Sequence, residues 1–340
     1  MDRKKILFIV GSLNQTTMMH KISKYYEKDF DCCFSTYYGD GIIRYAAERG
    51  VLDFSILGGE FRRRSEDYLN AHDLEIDYRG ANYNYDLVFL CSDLIVPKNI
   101  RNTKIILVQE GMTDPENFIY YLVKYLKLPR WIASTSTTGL SNRFDKFCVA
   151  SEGYKEFFIK KGVKPQKLVV TGIPNFDNVA IHLNNEFPHK NFVLVATSDS
   201  RETFKYENRK AFIRKCLKTA NGRQIIFKLH PNENFERATK EIKDIAPEAL
   251  VYTDGNIDDM IANCETLITK YSSVVYVGIT LGKEVYSYFD LEKLKAKAPI
   301  QNGGTSAETI AKVGYDLLFQ TKTVRQTRSQ RYKLQEALNA

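Results

Sequence analysis

The chain lacks the marks of a membrane-spanning or exported protein. No run approaches the roughly 18 consecutive apolar residues that a membrane span needs. The short apolar run after Met1, Asp2, Arg3, Lys4 and Lys5 leads into a glycine turn, not a signal-peptide cleavage site. The expected location is cytoplasmic, against the inner face of a membrane if the chain docks to one at all. Cysteines are few, and Cys32, Cys33, Cys91, Cys148, Cys216 and Cys264 have neither CxxC nor zinc-like spacing. Most sit in apolar runs where a reduced thiol fills space, so neither disulfides nor structural metals are expected. Long Lys/Arg blocks, RNP-like aromatic motifs and zinc-finger spacings are also missing, which argues against a nucleic-acid partner. There is no internal repeat and no low-complexity tract.

What is present describes a folded α/β protein. At 340 residues, with 44% hydrophobic and 26% charged side chains, the chain can bury two separate cores. The 49 basic residues outnumber the 41 acidic ones, giving a net charge of +8 that favours anionic partners without naming one. Short β-branched runs alternate with helix-period segments, as in parallel sheets with crossover helices. The first series of expected strands is Lys5–Val10, Asp53–Leu57, Asp86–Cys91, Lys104–Gln109, Lys146–Ala150 and Lys167–Thr171. A second begins with the run NFVLVATS at Asn191 and continues through Gln224–Leu229, Ala249–Tyr252, Thr266–Thr269 and Glu284–Tyr288. Helical patterns at 208–219, 234–244, 257–263 and 274–281 separate them, the last stopped by Gly282. The fold class is thus α/β, with two Rossmann-like, doubly wound parallel-sheet domains facing a cleft. Their expected extents are 1–176 and 177–320, followed by a helical tail at 321–340; the polar stretch 175–190 is the linker.

Open parallel sheets bind ligands beyond the C-terminal ends of their strands. Four such ends carry chemistry. Lys228 precedes His230-Pro231-Asn232-Glu233, where Pro231 bars helix at His230 and holds its imidazole on a loop, in reach of a phosphate oxygen. Lys270-Tyr271-Ser272-Ser273 leads into an apolar helix, and the two serines fall where an N-cap and its free amides make an anion pocket. Gln109-Glu110-Gly111 places a carboxylate beside a glycine at the cleft, able to take a proton from a hydroxyl. Asp93, after Ser92, offers a second carboxylate with a weaker claim. The loop Gly11-Ser12-Leu13-Asn14-Gln15 is neither a GxGxxG turn nor a Walker loop, which disfavours dinucleotide or ATP binding, yet its small residues let a ligand approach the backbone. Each motif also has a plain structural explanation, as a satisfied loop histidine, an unliganded cap or a turn-stabilising Glu.

Taken together, these segments resemble the GT-B superfamily that includes the non-hydrolysing UDP-N-acetylglucosamine 2-epimerases and the CDP-glycerol glycerophosphotransferases. The likeness is strongest from Phe144 to Tyr288. Val169-Val170-Thr171-Gly172-Ile173-Pro174 is similar to that group's closing strand and hinge, KLHPNE to its HP motif, and LITKYSSVVYVGITLGKEVYSY to a transferase segment. The resemblance implies that His230, Ser272 and Ser273 hold the donor's phosphates, with Gly11, Ser12, Thr171, Gly172, Pro174, Lys228, Pro231 and Tyr271 around the donor. Gln109-Glu110-Gly111 also resembles the acidic-Gly motif of bacterial transferases that use CMP-activated acidic sugars, which makes Glu110 the general base. The departures matter as well. Leu13 and Met18 stand where an epimerase carries Arg and Lys, and Ser273 and Val277 where it carries a Gly-Gly and a ribose-binding Glu. Glu110 and Lys270 stand where a glycerophosphotransferase typically has His and Asp. The expected activity is an inverting, metal-independent glycosyl transfer from a nucleotide-activated donor to a glycan or lipid-linked acceptor in cell-surface polysaccharide synthesis. No cofactor is expected beyond that donor, since no DxD-like pair stands in a donor loop. The alternatives are a CDP-glycerol-type phosphotransferase, an epimerase-like enzyme and a non-catalytic nucleotide-sugar binder.

Two further segments bear on the acceptor. Arg62, Arg63 and Arg64 can meet an anionic group or form a solvated face. In Phe118–Trp131, Phe118, Tyr121, Leu122 and Tyr125 fall at helical spacing beside Lys124, Lys127 and Arg130, similar to a membrane-surface helix, although such a stripe more often faces its own core.

Overall fold

Strands β1 (Lys5–Val10), β2 (Asp31–Thr36), β3 (Leu87–Leu90), β4 (Lys104–Val108), β5 (Lys146–Val149) and β6 (Leu168–Val170) form a six-stranded sheet in the order β2-β1-β3-β4-β5-β6. A second sheet holds β7 (Val193–Ala196), β8 (Ile225–Lys228), β9 (Leu250–Tyr252), β10 (Thr266–Thr269) and β11 (Glu284–Tyr286) in the order β11-β10-β7-β8-β9. Every strand pairing is parallel. The structure, a computed structural model, describes residues 3–202 and 206–319, so the expected tail at 321–340 lies outside the described residues.

Because parallel strands are covered on both faces, they read as unbroken apolar runs; Ile6 to Val10 and Leu87 to Leu90 are at most 1% exposed. Helices α1 (Leu13–Ser23), α2 (Gly41–Glu48), α3 (Gly59–Ala71), α4 (Phe118–Leu126) and α5 (Glu152–Lys161) connect the first sheet. Helices α6 (Arg209–Ala220), α7 (Phe235–Lys243), α8 (Ile257–Asn263), α9 (Val275–Thr280) and α10 (Leu291–Lys295) serve the second, and α11 (Ser306–Phe319) ends the described chain. Side-chain caps start many of them: the Ser12 and Ser151 hydroxyls accept from the backbone amides of Gln15 and Tyr154, and Asn208 and Asn234 cap α6 and α7.

One expected strand of the first sheet is absent and one unexpected strand takes part in it. Asp53–Leu57 is a series of turns rather than a strand, held by the Asp53 carboxylate accepting from the Gly59 amide at 3.0 Å. Gly59 has φ +53°, and a Cβ there would lie 2.2 Å from the Asp53 carbonyl oxygen, so this closure needs glycine. The neighbour of β1 is instead β2, whose sequence DCCFST is too poor in β-branched residues to stand out.

Strand order reverses between β1 and β3 in one sheet and between β7 and β10 in the other, which opens a crevice at each set of C-terminal strand ends. The two crevices face each other. Among the described residues the chain passes between lobes twice, at 171–179 and at 296–306. Asp177 staples the passages: its carbonyl accepts from Asn302 and Gly303, and its carboxylate from the Ser306 amide at 2.8 Å. Helix α11 then returns to the first lobe, where the Tyr26 hydroxyl donates to the Ala311 carbonyl at 2.6 Å and Lys104 donates to the Leu317 carbonyl. A second bridge is the buried hydroxyl pair of Tyr154 on α5 and Tyr276 on α9, 2.8 Å apart.

Candidate active site

A cavity of about 1060 Å³ lies between the lobes, lined from the first by Ser12, Leu13, Asn14, Lys21, Arg64 and Glu110 and from the second by His230, Pro231, Asn232 and Ser273. That volume is at the upper end of what small-molecule sites offer. A smaller cavity of about 250 Å³, walled by Thr113, Asp114, Thr135, Thr138 and Tyr271, adjoins it. Glu110, Asn14 and Ser273 line both cavities, so the carboxylate stands at their junction. A Cβ on Gly111 would lie 3.7 Å from the Ser273 Cβ, so the lobes nearly touch there.

Three donors from the β1 loop orient Glu110. Oε1 accepts from the Ser12 hydroxyl at 3.0 Å and the Asn14 amide at 3.2 Å, and Oε2 accepts from the Gln15 amide at 2.5 Å. A carboxylate has about four acceptor directions, so one remains for a further hydrogen bond. Gln109 is buried and structural: its Oε1 accepts from the Ala150 amide and its Nε2 donates to the Gly111 carbonyl, fixing the backbone beneath Glu110.

His230 is set by its own turn. Its backbone amide donates to Thr197 Oγ1 at 3.0 Å and Glu233 Oε2 at 2.9 Å, and its Nδ1 accepts from the Asn232 amide at 3.2 Å. An imidazole that accepts at Nδ1 carries its proton on Nε2, which makes His230 a hydrogen-bond donor. Behind the turn, Glu233 is buried against Thr197 and Arg209, and Glu207 bonds both Arg209 at 3.0 Å and Lys270 at 2.6 Å. This ionic chain ties the end of β8 to the end of β10.

The serines differ from the N-cap expectation. Helix α9 begins only at Val275, and Ser272 and Ser273 form the turn before it, with the Ser272 hydroxyl accepting a long 3.4 Å bond from the Val274 amide. Ser273 lines both cavities; Ser272 lines neither.

Other expected site residues divide between cleft and scaffold. Ser12, Pro174 and Pro231 line the large cavity and Tyr271 the small one. Lys228 turns away, donating to the Thr253 and Leu229 carbonyls, and burial pulls its ammonium pKa down. Asp93 is fully buried and accepts from the Gly139 and Ser141 amides. Gly11 donates to Gln15 Oε1, Thr171 is buried, and a Cβ on Gly172 would strike the Ser306 hydroxyl at 2.2 Å, which makes this pair part of the hinge packing. Of the three arginines only Arg64 lines the large cavity, where it donates to the Pro231 carbonyl across the gap; Arg63 pairs with Glu60 and Asp67 on α3, and Arg62 with Glu66.

Several cleft residues carried no signal in the sequence. Lys21 donates to the Pro174 carbonyl at 2.9 Å and Asn175 Oδ1 at 2.8 Å, and the Asn175 amide reaches back to Asn14 and Thr17. His182 pairs with Asp259 at 2.7 Å and lies 3.7 Å from Asp258, whose carboxyl pKa is raised chiefly by burial. These contacts join residues up to 161 positions apart, beyond any local pattern.

Two facing parallel α/β lobes with the cleft at their strand ends define the GT-B fold. Solved structures with this fold include the UDP-GlcNAc 2-epimerase of Neisseria meningitidis bound to UDP-GlcNAc, which matches with a TM-score of 0.56 at 12% identity over 92% of this chain and 100% of its own. The wall teichoic acid polymerase TagF matches with a TM-score of 0.54 at 12% identity, covering 94% of this chain and 89% of that one. Staphylococcus aureus MnaA in complex with UDP gives 0.54 at 11%, covering 93% and 97%. No family model and no curated protein matches the sequence.

Proposed function

We propose that the chain is an inverting, metal-independent glycosyltransferase that moves a sugar from a nucleotide-activated donor to a glycan or lipid-linked acceptor in cell-surface polysaccharide synthesis. The observation that carries this reading is the position of Glu110, at the junction of two cavities that Ser273 also lines and next to Gly111, where the lobes approach each other. The donor occupies the large cavity and the acceptor hydroxyl enters from the small one. Glu110 takes the hydroxyl proton, the acceptor oxygen attacks the anomeric carbon in line, and the bond to the nucleotide phosphate breaks on the opposite face. The leaving phosphate keeps the electron pair and is met by the His230 Nε2–H and the Ser273 hydroxyl, which supply the stabilisation a metal ion would otherwise give. Donors of this kind are consistent with neighbours bound to UDP-GlcNAc and UDP.

An epimerase reading is weaker, because Met18 is fully buried in the core and cannot serve a phosphate. The test is release of free nucleotide from UDP-, CMP-, CDP- and GDP-linked sugars, with and without EDTA. Release from one donor class, unchanged by EDTA, is expected. Thermal stabilisation by a donor with no release identifies a binder instead, and loss of turnover in EDTA removes the metal-free mechanism.

A further inference from the structure

The first lobe has a second concavity outside the cleft, and we propose that it is a binding groove for an acidic oligosaccharide. Two cavities of about 510 and 250 Å³ meet at Tyr38, Gly39, Arg44 and Arg79. Lys98 lines the first and Arg62 the second; Arg62 is paired with Glu66, which leaves Arg44, Arg79 and Lys98 to face the two lining carboxylates, Asp40 and Glu48. Both carboxylates are already engaged. Asp40 accepts from the Lys98 backbone amide at 2.8 Å, and Glu48 Oε1 is shared by Arg44 at 2.7 Å and Arg79 at 3.6 Å. The hydrogen bond from Arg44, with the charges of Arg44 and Arg79, holds the Glu48 carboxyl below its usual range. Two guanidiniums on one carboxylate leave positive charge for a ligand.

The groove is built around Arg79. Its backbone is left-handed, with φ +66°, a conformation few residues other than glycine adopt. Neighbours hold it there: its amide donates to the Ser35 hydroxyl at 2.8 Å, and the Asn99 amide donates to its carbonyl at 2.9 Å. The Tyr38 hydroxyl in turn donates to Asn99 Oδ1. Beneath, buried Asp77 accepts from the Ala81 and Asn82 amides and the Tyr85 hydroxyl. Held by the Ser35 and Asn99 bonds in a left-handed backbone, Arg79 presents its guanidinium to both cavities, and strain at such a place is a reason to look for a ligand there. Arginine forks take carboxylates or phosphates in bidentate fashion, while the half-exposed rings of Tyr78 and Tyr83, each with a cation over one face, add apolar surface to the two cavity walls. Helix α3 is the wall shared with the cleft, since its Arg64 faces the cleft and its Arg62 the groove. An acidic chain lying in the groove can therefore lead over α3 towards Glu110; its role as acceptor rests on the transferase reading, its binding does not.

The test is calorimetry on the whole protein at low salt with tetragalacturonate, maltotetraose as the neutral control and oligothymidylate as the nucleic-acid control. Tetragalacturonate should bind and maltotetraose should not. Arg79→Gly, which keeps the left-handed backbone comfortable, and Arg44→Gln should each weaken binding about tenfold or more, as expected for a lost charge-assisted fork, while UDP and CDP affinities stay unchanged. No binding of tetragalacturonate, equal affinity in both variants, equal binding of maltotetraose or tighter binding of oligothymidylate each overturns the proposal. A protein that binds tetragalacturonate in this way but releases no nucleotide keeps the groove and loses the transferase reading.

Discussion

At the scale of single residues, the cleft pairs an oriented carboxylate with an oriented imidazole. Three hydrogen bonds fix both oxygens of Glu110 and leave one direction open. Glu110→Gln keeps the shape and removes the proton acceptor, so kcat should fall about 100-fold or more while donor Kd, read by calorimetry, stays within twofold. A kcat unchanged in this variant removes Glu110 as the base. The Asn232 amide occupies His230 Nδ1, so the neutral imidazole presents its proton on Nε2. His230→Ala should lower kcat on the order of 100-fold, the usual loss for one donor to developing charge, and unlike Glu110→Gln it should also weaken binding of the free nucleoside diphosphate. The placement of Glu110, His230 and Ser273 at the cleft was legible in the sequence because each lies in the loop after a strand, where an open sheet exposes its loops. Lys228 and Asp93 met the same criterion and turned inward: Lys228 is still in β8, where alternate side chains leave the edge, and Asp93 is drawn under the loop at 139–141 by two amides.

At the scale of elements, α4 and the 3-10 segment Arg130–Thr137 form a small unit laid on α5. Its core is Tyr120, Val123 and Ala133, and Lys161 fastens it by donating to the Ser136 carbonyl among the rings of Tyr120, Phe157 and Phe158. Burial holds the Lys161 ammonium down to about 8 from 10.5, a gap equivalent to about 3 kcal/mol. Below pH 8 both folded and unfolded chains are charged and the folded state bears this penalty. Between 8 and 10.5 only the unfolded chain keeps the proton, so stability rises with pH across that window. Denaturant titrations should find this rise in the parent chain and not in Lys161→Met; parallel pH profiles would remove the buried charge as its cause.

The apolar stripe of α4 faces outward: Phe118 and Tyr125 are each 74% exposed, with Tyr121 and Leu126 beside them and Lys124 and Lys127 interspersed. The helix was legible from its period, but which side was buried was not, because Tyr120 and Val123 interleave with the stripe at the same spacing. If this stripe docks to a membrane surface, the parent chain co-floats with phosphatidylglycerol vesicles and Phe118→Ser with Tyr125→Ser reduces this several-fold; a parent chain that does not float removes the docking. Strand β2 was hidden for a related reason, since neighbours on both faces, not its own side chains, give it its place.

For the molecule as a whole, the second passage of the chain sets the relation between lobes. Nothing local in Ser306–Phe319 indicates that it returns to the first sheet; that follows from packing against Tyr26 and β4. Gly314 is the point of closest approach, where a Cβ would lie 2.1 Å from the Tyr26 hydroxyl. Gly314→Val should cost about 1–3 kcal/mol through overpacking and lower Tm by several degrees, and an unchanged melting curve would mean that this helix docks loosely.

The two passages run side by side and are pinned together by Asp177. A pair of adjacent tethers lets the lobes swing about the line through both but opposes twisting. Any opening that keeps this pin must turn about the buried Tyr154–Tyr276 pair or part it, and it would move Ser273 and His230 together, since the ionic chain through Glu207 and Glu233 joins their loops.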